Sequence, residues 1–195
     1  MTRWNGPVIA TIDMLIALFV VALALMADPK TELQANSDRP ICHLAVDMQW
    51  KDRDLSDVDL WVKAPGDRPV GYSAREGVVF NLVRDDLGGY MDITSLNSER
   101  ACARGLPEGE WIVNTHLYSA RSPLPLSITI TVSLVNPSSA FMEEIISRTI
   151  QLKYSGEEVT AVRFKIKDGK LVNGSQNEIP IGLRENKGGE IRSIR

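Results

Sequence analysis

Catalytic vocabulary is scarce in this chain. Among 195 residues there are two histidines, His43 and His116, and two cysteines, Cys42 and Cys102, too few for an acid–base set built on histidine. No G-x-S-x-G, H-E-x-x-H, Walker loop or dinucleotide fingerprint occurs, so neither an enzyme nor a cofactor is expected. Charge of one sign is lacking as well. Lys and Arg number 22 against 25 Asp and Glu, a net charge of −3, with no basic stripe, which argues against a nucleic-acid partner. Long apolar runs are missing except over residues 7–27, so at most one membrane pass is available.

As a helix that run measures about 31 Å, against a hydrocarbon core of about 30 Å. Asp13 lies inside it. An ionised Asp near a helix centre costs roughly 2.5–3.5 kcal/mol on insertion scales, so an acid at this depth calls first for a functional explanation. Steps of three and four along one helix face collect Ala10, Asp13, Ala17, Val20, Ala24 and Ala27, whereas Leu15, Ile16, Leu18, Phe19, Leu23 and Leu25 take other faces. Small residues let membrane helices approach closely. The stripe therefore reads as a helix-packing face, with Asp13 turned to protein or trapped water rather than lipid. Roughly 9 Å inside the N-terminal end of the run, Asp13 is removed from bulk water yet close to one compartment, a position suited to loading and releasing a proton or a sodium ion. Two plainer readings stand beside this one. Asp13 is a tolerated polar residue in a simple anchor, satisfied by backbone and Thr11; or the segment is a cleaved signal peptide with Arg3 in its n-region. Cleavage after Ala27 meets Leu25 where a small residue is wanted, and the better-fitting Ala22-Leu23-Ala24 leaves only a short apolar region.

Arg3 and the free amino group on one flank, against a near-neutral stretch opened by Asp28, Lys30 and Glu32 on the other, favour a cytoplasmic N-terminus. Trp4 suits the inner interface belt. The stretch Ala10-Thr-Ile-Asp13-Met-Leu-Ile-Ala-Leu-Phe19 resembles the start of the transmembrane helix in the ExbD/TolR and MotB subunits of ion-driven bacterial motors. The resemblance implies a single pass through the bacterial inner membrane, a periplasmic C-terminal domain, and Asp13 as the ion-carrying residue. It also implies two copies of the chain, a homodimer, inside a pentamer of a MotA/TolQ/ExbB-like membrane protein. The chain departs from that pattern in having neither an OmpA-like peptidoglycan-binding motif nor the small ExbD-type periplasmic domain, so the envelope partner on which the complex acts is left open.

The layout expected along the chain is a cytoplasmic tail over 1–6, a transmembrane helix over 7–27, a polar linker over 28–40, a periplasmic domain over 41–182 and a charged tail over 183–195. Fully extended, the linker reaches roughly 40 Å. Strand patterns recur from Ile41: residues 41–50, 58–62, 77–83, 110–118, 126–135, 145–154, 159–166 and 171–172. Eight short runs with almost no helical period predict an all-β antiparallel sandwich. In Leu126-Ser-Ile-Thr-Ile-Thr-Val-Ser-Leu134 the apolar residues point one way and the hydroxyls the other. Residues 138–147 read equally as a short helix, with Phe141, Ile145 and Ile146 on one face, or as a loop entering a strand. Trp50, Asp57-Val-Asp59-Leu-Trp-Val62, Pro65-Gly66 and Leu106-Pro-Glu-Gly109-Glu-Trp-Ile-Val113 resemble an uncharacterised bacterial β-sandwich domain with a W…DVDLxV…P-G signature, a resemblance that implies fold rather than function.

Asp52, Asp54, Asp57, Asp59, Asp85 and Asp86 form an acidic group, but the spacing lacks the glycine and terminal Glu of an EF-hand. No metal is expected there, and Asp59 is expected to satisfy backbone amides at a strand end. A zinc site from Cys42, His43, Cys102 and His116 lacks paired spacing, and adjacent Cys42 and His43 point to opposite faces of a strand. A Cys42–Cys102 disulfide is the other use of the pair, suited to an oxidising periplasm. Two function classes follow: an ion-carrying subunit of an inner-membrane motor, or a membrane-anchored sandwich that binds a protein or glycan without transporting ions.

Overall fold

The computed structural model describes residues 6–26, 42–89 and 95–184. The chain divides into two compact units, residues 1–40 and 41–195. In the first, helix α1 spans Gly6–Met26. No Gly or Pro interrupts it after Pro7, which stands where a missing amide costs a helix nothing. Side chains of α1 are described over residues 10–22, roughly 20 Å of helix, and all of them are exposed. Among the described residues no helix is long and apolar enough to cross a membrane. The expected spanning helix over 7–27 is thus met in part, as a continuous helical backbone; Ala27, the linker over 28–40 and the end of the charged tail lie outside the described residues.

The second unit is antiparallel throughout. Strands β1 (Leu44–Trp50), β2 (Asp57–Lys63), β3 (Phe80–Arg84), β4 (Ser98–Ala103), β5 (Gly109–Ser119), β6 (Leu126–Val135), β7 (Met142–Leu152), β8 (Glu158–Lys167) and β9 (Lys170–Leu171) form two sheets. Their orders are β3-β4-β1-β6-β7 and β2-β5-β8-β9. The period of two explains the layering: Leu44, Val46, Met48 and Trp50 of β1 and Ile128, Ile130 and Val132 of β6 meet Val58, Leu60 and Val62 of β2 and Trp111, Val113 and Leu117 of β5 in one core. Trp111 sits at its centre, edge-on to Phe80 at 5.4 Å and stacked on Phe164 at 6.3 Å, and its indole N–H donates to the Pro107 carbonyl at 3.2 Å.

One element differs from the sequence expectation. Strand β4, Ser-Glu-Arg-Ala-Cys-Ala, carries no large apolar side chain; its inward positions are Ala101 and Ala103, and the space beside Ala101 is taken by its cross-strand neighbours Val46 and Leu82. Of the two readings of residues 138–147, the loop entering a strand is the one found. Ala140 N–H donates to the Asn136 carbonyl at 2.8 Å and Asn136 N–H to that of Phe141 at 2.8 Å, closing a turn from which β7 pairs with β6 across a register shift at Val132/Ser133. Nor does the second unit stop at 182. Residues 177–183 run over the outer face of the β2-β5-β8-β9 sheet: Asn114 Nδ2 donates to the Ile181 carbonyl at 2.6 Å, Leu183 N–H to Glu158 Oε1 at 2.8 Å, and Leu183 is buried with Trp61 and Ile112.

A disulfide joins Cys42, just before β1, to Cys102 of β4, with Cα atoms 5.5 Å apart at a sequence separation of 60. It ties the start of the sandwich to the strand that neighbours β1 in the sheet.

Candidate functional site

Two places put ionisable groups where sequence logic alone would put apolar ones. One is α1, where Asp13 is exposed together with Ala10, Ala17 and Val20, so these four sequence-predicted residues lie on described helix. The side chain of Ala24 and all of Ala27 lie outside the described part.

The other is a carboxylate cluster at the edge of the sandwich. Strand β2 is the last strand of the smaller sheet, pairing with β5 on one side and meeting a single bridge, Val62 with Val70, on the other. Its alternation turns Val58, Leu60 and Val62 to the core and Asp57, Asp59 and Trp61 to the outer face. Directly opposite Asp59 in the β2–β5 register stands His116. Its Nδ1 lies 2.6 Å from Asp59 Oδ2, and both side chains are almost fully buried. Glu99 reaches the same place from β4 in the other sheet. Only 1% exposed, it accepts the Leu60 N–H at 2.6 Å and the Asp86 N–H at 3.4 Å. It thereby satisfies a backbone amide that β5 does not, the role a carboxylate fills best where a buried N–H would otherwise go unpaired.

One oxygen each of Asp59, Asp85 and Glu99 lies within 4.8 Å of the others. Charge so concentrated and so dry is costly, and the cluster relieves it locally. Asp85 is 3.6 Å from Arg75. Asp86 is 3.8 Å from Arg84 and accepts N–H groups from Gly88 and Ser98. Burial, and then the neighbouring Asp59 and Asp85, push Glu99 well above the usual carboxylate range against the pull of the Leu60 amide. Burial also raises Asp59, in spite of His116. Asp57 is pushed up to about 6, by burial first and then by Asp59, Asp85 and Asp86. Glu99 thus holds a proton more tightly than an ordinary carboxyl does, and Asp57 exchanges one near pH 6.

Of the six aspartates singled out by the sequence, Asp57, Asp59, Asp85 and Asp86 come together. Asp52 is exposed, and Asp54 accepts the Ser56 N–H at 2.8 Å. Asp59 bonds a histidine side chain rather than the expected backbone amides. Sequence reasoning missed Glu99 because it missed β4; the available signal was the i, i+2, i+4 alternation of Glu99, Ala101 and Ala103. Cys42 and Cys102 are spent on their disulfide, so the set Cys42, His43, Cys102 and His116 is not a zinc site.

A carboxyl with opposite behaviour lies outside the cluster. Burial alone would raise Asp67, but N–H groups of Val79 at 2.7 Å, Val78 at 3.1 Å and Arg68 at 2.8 Å converge on it and hold it below the usual range. Gly77 makes room for it: a Cβ there would stand 2.5 Å from Asp67 Oδ2. No protein-family model, no curated protein and no solved structure matches this chain.

Proposed function

We propose that the chain is the single-helix, ion-carrying subunit of an inner-membrane motor, with Asp13 as the residue that takes up and releases the ion, most simply a proton. The observation that carries this reading is an acid on an unbroken helical backbone, Gly6–Met26, within the apolar sequence run 7–27, flanked by small residues one turn away on the same face. Taken whole, that run would measure about 31 Å as a helix, the span of one pass, and an acid there is costly unless it serves transport. In this reading five copies of a MotA/TolQ/ExbB-like partner surround two helices packed on the Ala10, Ala17, Val20, Ala24 and Ala27 stripe. Ion passage charges and discharges Asp13, the partner shifts against the helix, and the linker conveys the movement to the sandwich. The N-terminus lies in the cytoplasm and the sandwich in the periplasm. The Cys42–Cys102 disulfide supports this placement, since such bonds persist in oxidising compartments.

The test is Asp13→Asn in the native host. Purified in mild detergent from native membranes, the wild-type chain is expected to bring with it a polytopic partner in excess over two copies of itself. The Asp13→Asn substitution should leave that assembly intact and remove the activity. Recovery of the wild-type chain as a lone monomer, or full activity of the variant, would sink the proposal.

A further inference from the structure

On the outer face of the smaller sheet, where β2 and β5 end together, a hollow of about 250 Å³ is lined by Asp57, Leu87, Tyr118, Ser119 and Arg121. It is smaller than the roughly 300–1,000 Å³ of sites for drug-sized ligands, so it admits one ring or one residue of a longer chain. Tyr118 is 57% exposed. Its ring meets Tyr72 edge-on at 6.2 Å and the buried His116 at 6.2 Å, and Tyr72 in turn meets Trp61 at 5.6 Å. An exposed ring held from two sides has little rotamer freedom left to lose on binding. Arg121 is pinned through its backbone, whose N–H donates to Ser56 Oγ at 3.0 Å, while its guanidinium forms no ion pair among the described residues.

The polar groups decide what fits. An anion would meet Asp57 with Asp59, Asp85 and Asp86 behind it, which disfavours acidic ligands. Arg121 beside Asp57 puts a donor opposite an acceptor in the same hollow, an arrangement that a hydroxyl uses at both ends. Asp57 offers only acceptors, Arg121 only donors and Ser119 both, which suits groups that are donor and acceptor at once, set on a framework with an apolar C–H face for Tyr118. Those are the attributes of a sugar ring. We propose that this hollow binds a neutral oligosaccharide, one ring stacked on Tyr118 and its hydroxyls divided between Asp57 and Arg121, with Tyr72 extending the contact to the next unit. The site is independent of ion carriage at Asp13; under the motor reading it supplies the sandwich with something to hold.

The test is titration of the full-length chain in mild detergent with neutral oligosaccharides of four to six units, in gluco, manno, galacto and N-acetylglucosamine series, followed by calorimetry. At least one series should bind with a dissociation constant in the millimolar range or tighter. Tyr118→Ala and Arg121→Ala should each weaken it by about tenfold or more. Phe141→Ala, at an exposed ring in the turn before β7, and Asp13→Asn should leave it unchanged. The proposal is overturned by no binding in any series, by binding that survives both Tyr118→Ala and Arg121→Ala, by equal loss in Phe141→Ala, or by binding confined to acidic saccharides or peptides added as competitors.

Discussion

Replacing Asp57 by Asn should stabilise the sandwich at neutral pH and do nothing in acid. The folded protein raises Asp57 from 3.8 to about 6, by burial first and then by the charges of Asp59, Asp85 and Asp86. A carboxyl raised in the folded state binds its proton more tightly there than in the unfolded chain. Its contribution to stability is complete below pH 3.8 and is lost as pH rises through about 6. Moving a fully shielded carboxyl that far is worth roughly 3 kcal/mol. Asp57 is only half-buried, and solvent screening reduces that to about 1 kcal/mol. The amide of Asp57→Asn keeps the shape and cannot ionise, so the variant should gain about 1 kcal/mol over wild type at pH 8 and match it near pH 4. Urea unfolding of the disulfide-bonded chain in mild detergent, followed by tryptophan fluorescence at half-unit steps from pH 4 to 8, reads this difference, because groups outside the cluster cancel between the two proteins. A variant that is less stable at pH 8, or equally shifted at both ends, would refute the idea that the cluster stores like charge.

Asp67 should behave in the reverse sense. Held low by three amides, it contributes stability above about pH 3.8 that is lost as pH falls through its folded value; Asp67→Ala should cost about 1–3 kcal/mol at pH 7 and less in acid, by the same unfolding assay. Opening the Cys42–Cys102 disulfide, which closes 60 residues, should lower stability by about 4 kcal/mol in the chain-entropy model, measured as the shift in urea midpoint between oxidised protein and a Cys42→Ser, Cys102→Ser pair. Trp111→Ala should cost about 3–5 kcal/mol, because it empties the contact with both Phe80 and Phe164; a cost below about 1 kcal/mol would mean that this indole does not organise the core.

How much of this was legible beforehand depended on where the information lies. Strands β1 and β6 announce themselves because large apolar residues alternate with polar ones, and that alternation is local. Strand β4 does not, since its inward alanines are small only because Val46 and Leu82, distant in sequence, fill the space. The helix of residues 6–26 is likewise local, an unbroken apolar run. The carboxylate cluster was half visible. Asp57 and Asp59 stand in one short segment, but their meeting with Glu99 and His116 needs the register of two sheets, and Glu99 lies on the strand that local patterning missed. Leu183 is a third case. Followed by Arg184-Glu-Asn-Lys187, it reads as the start of the tail, and only the Trp61 and Ile112 side chains across the sheet give it a place.

The measurement that bears most directly on the central claim is proton uptake by liposomes containing the complex isolated from native membranes through this chain. The account predicts uptake that follows an imposed proton gradient in the wild-type complex and falls to the background of empty liposomes in Asp13→Asn, with subunit ratio unchanged. Equal uptake by both complexes would contradict it.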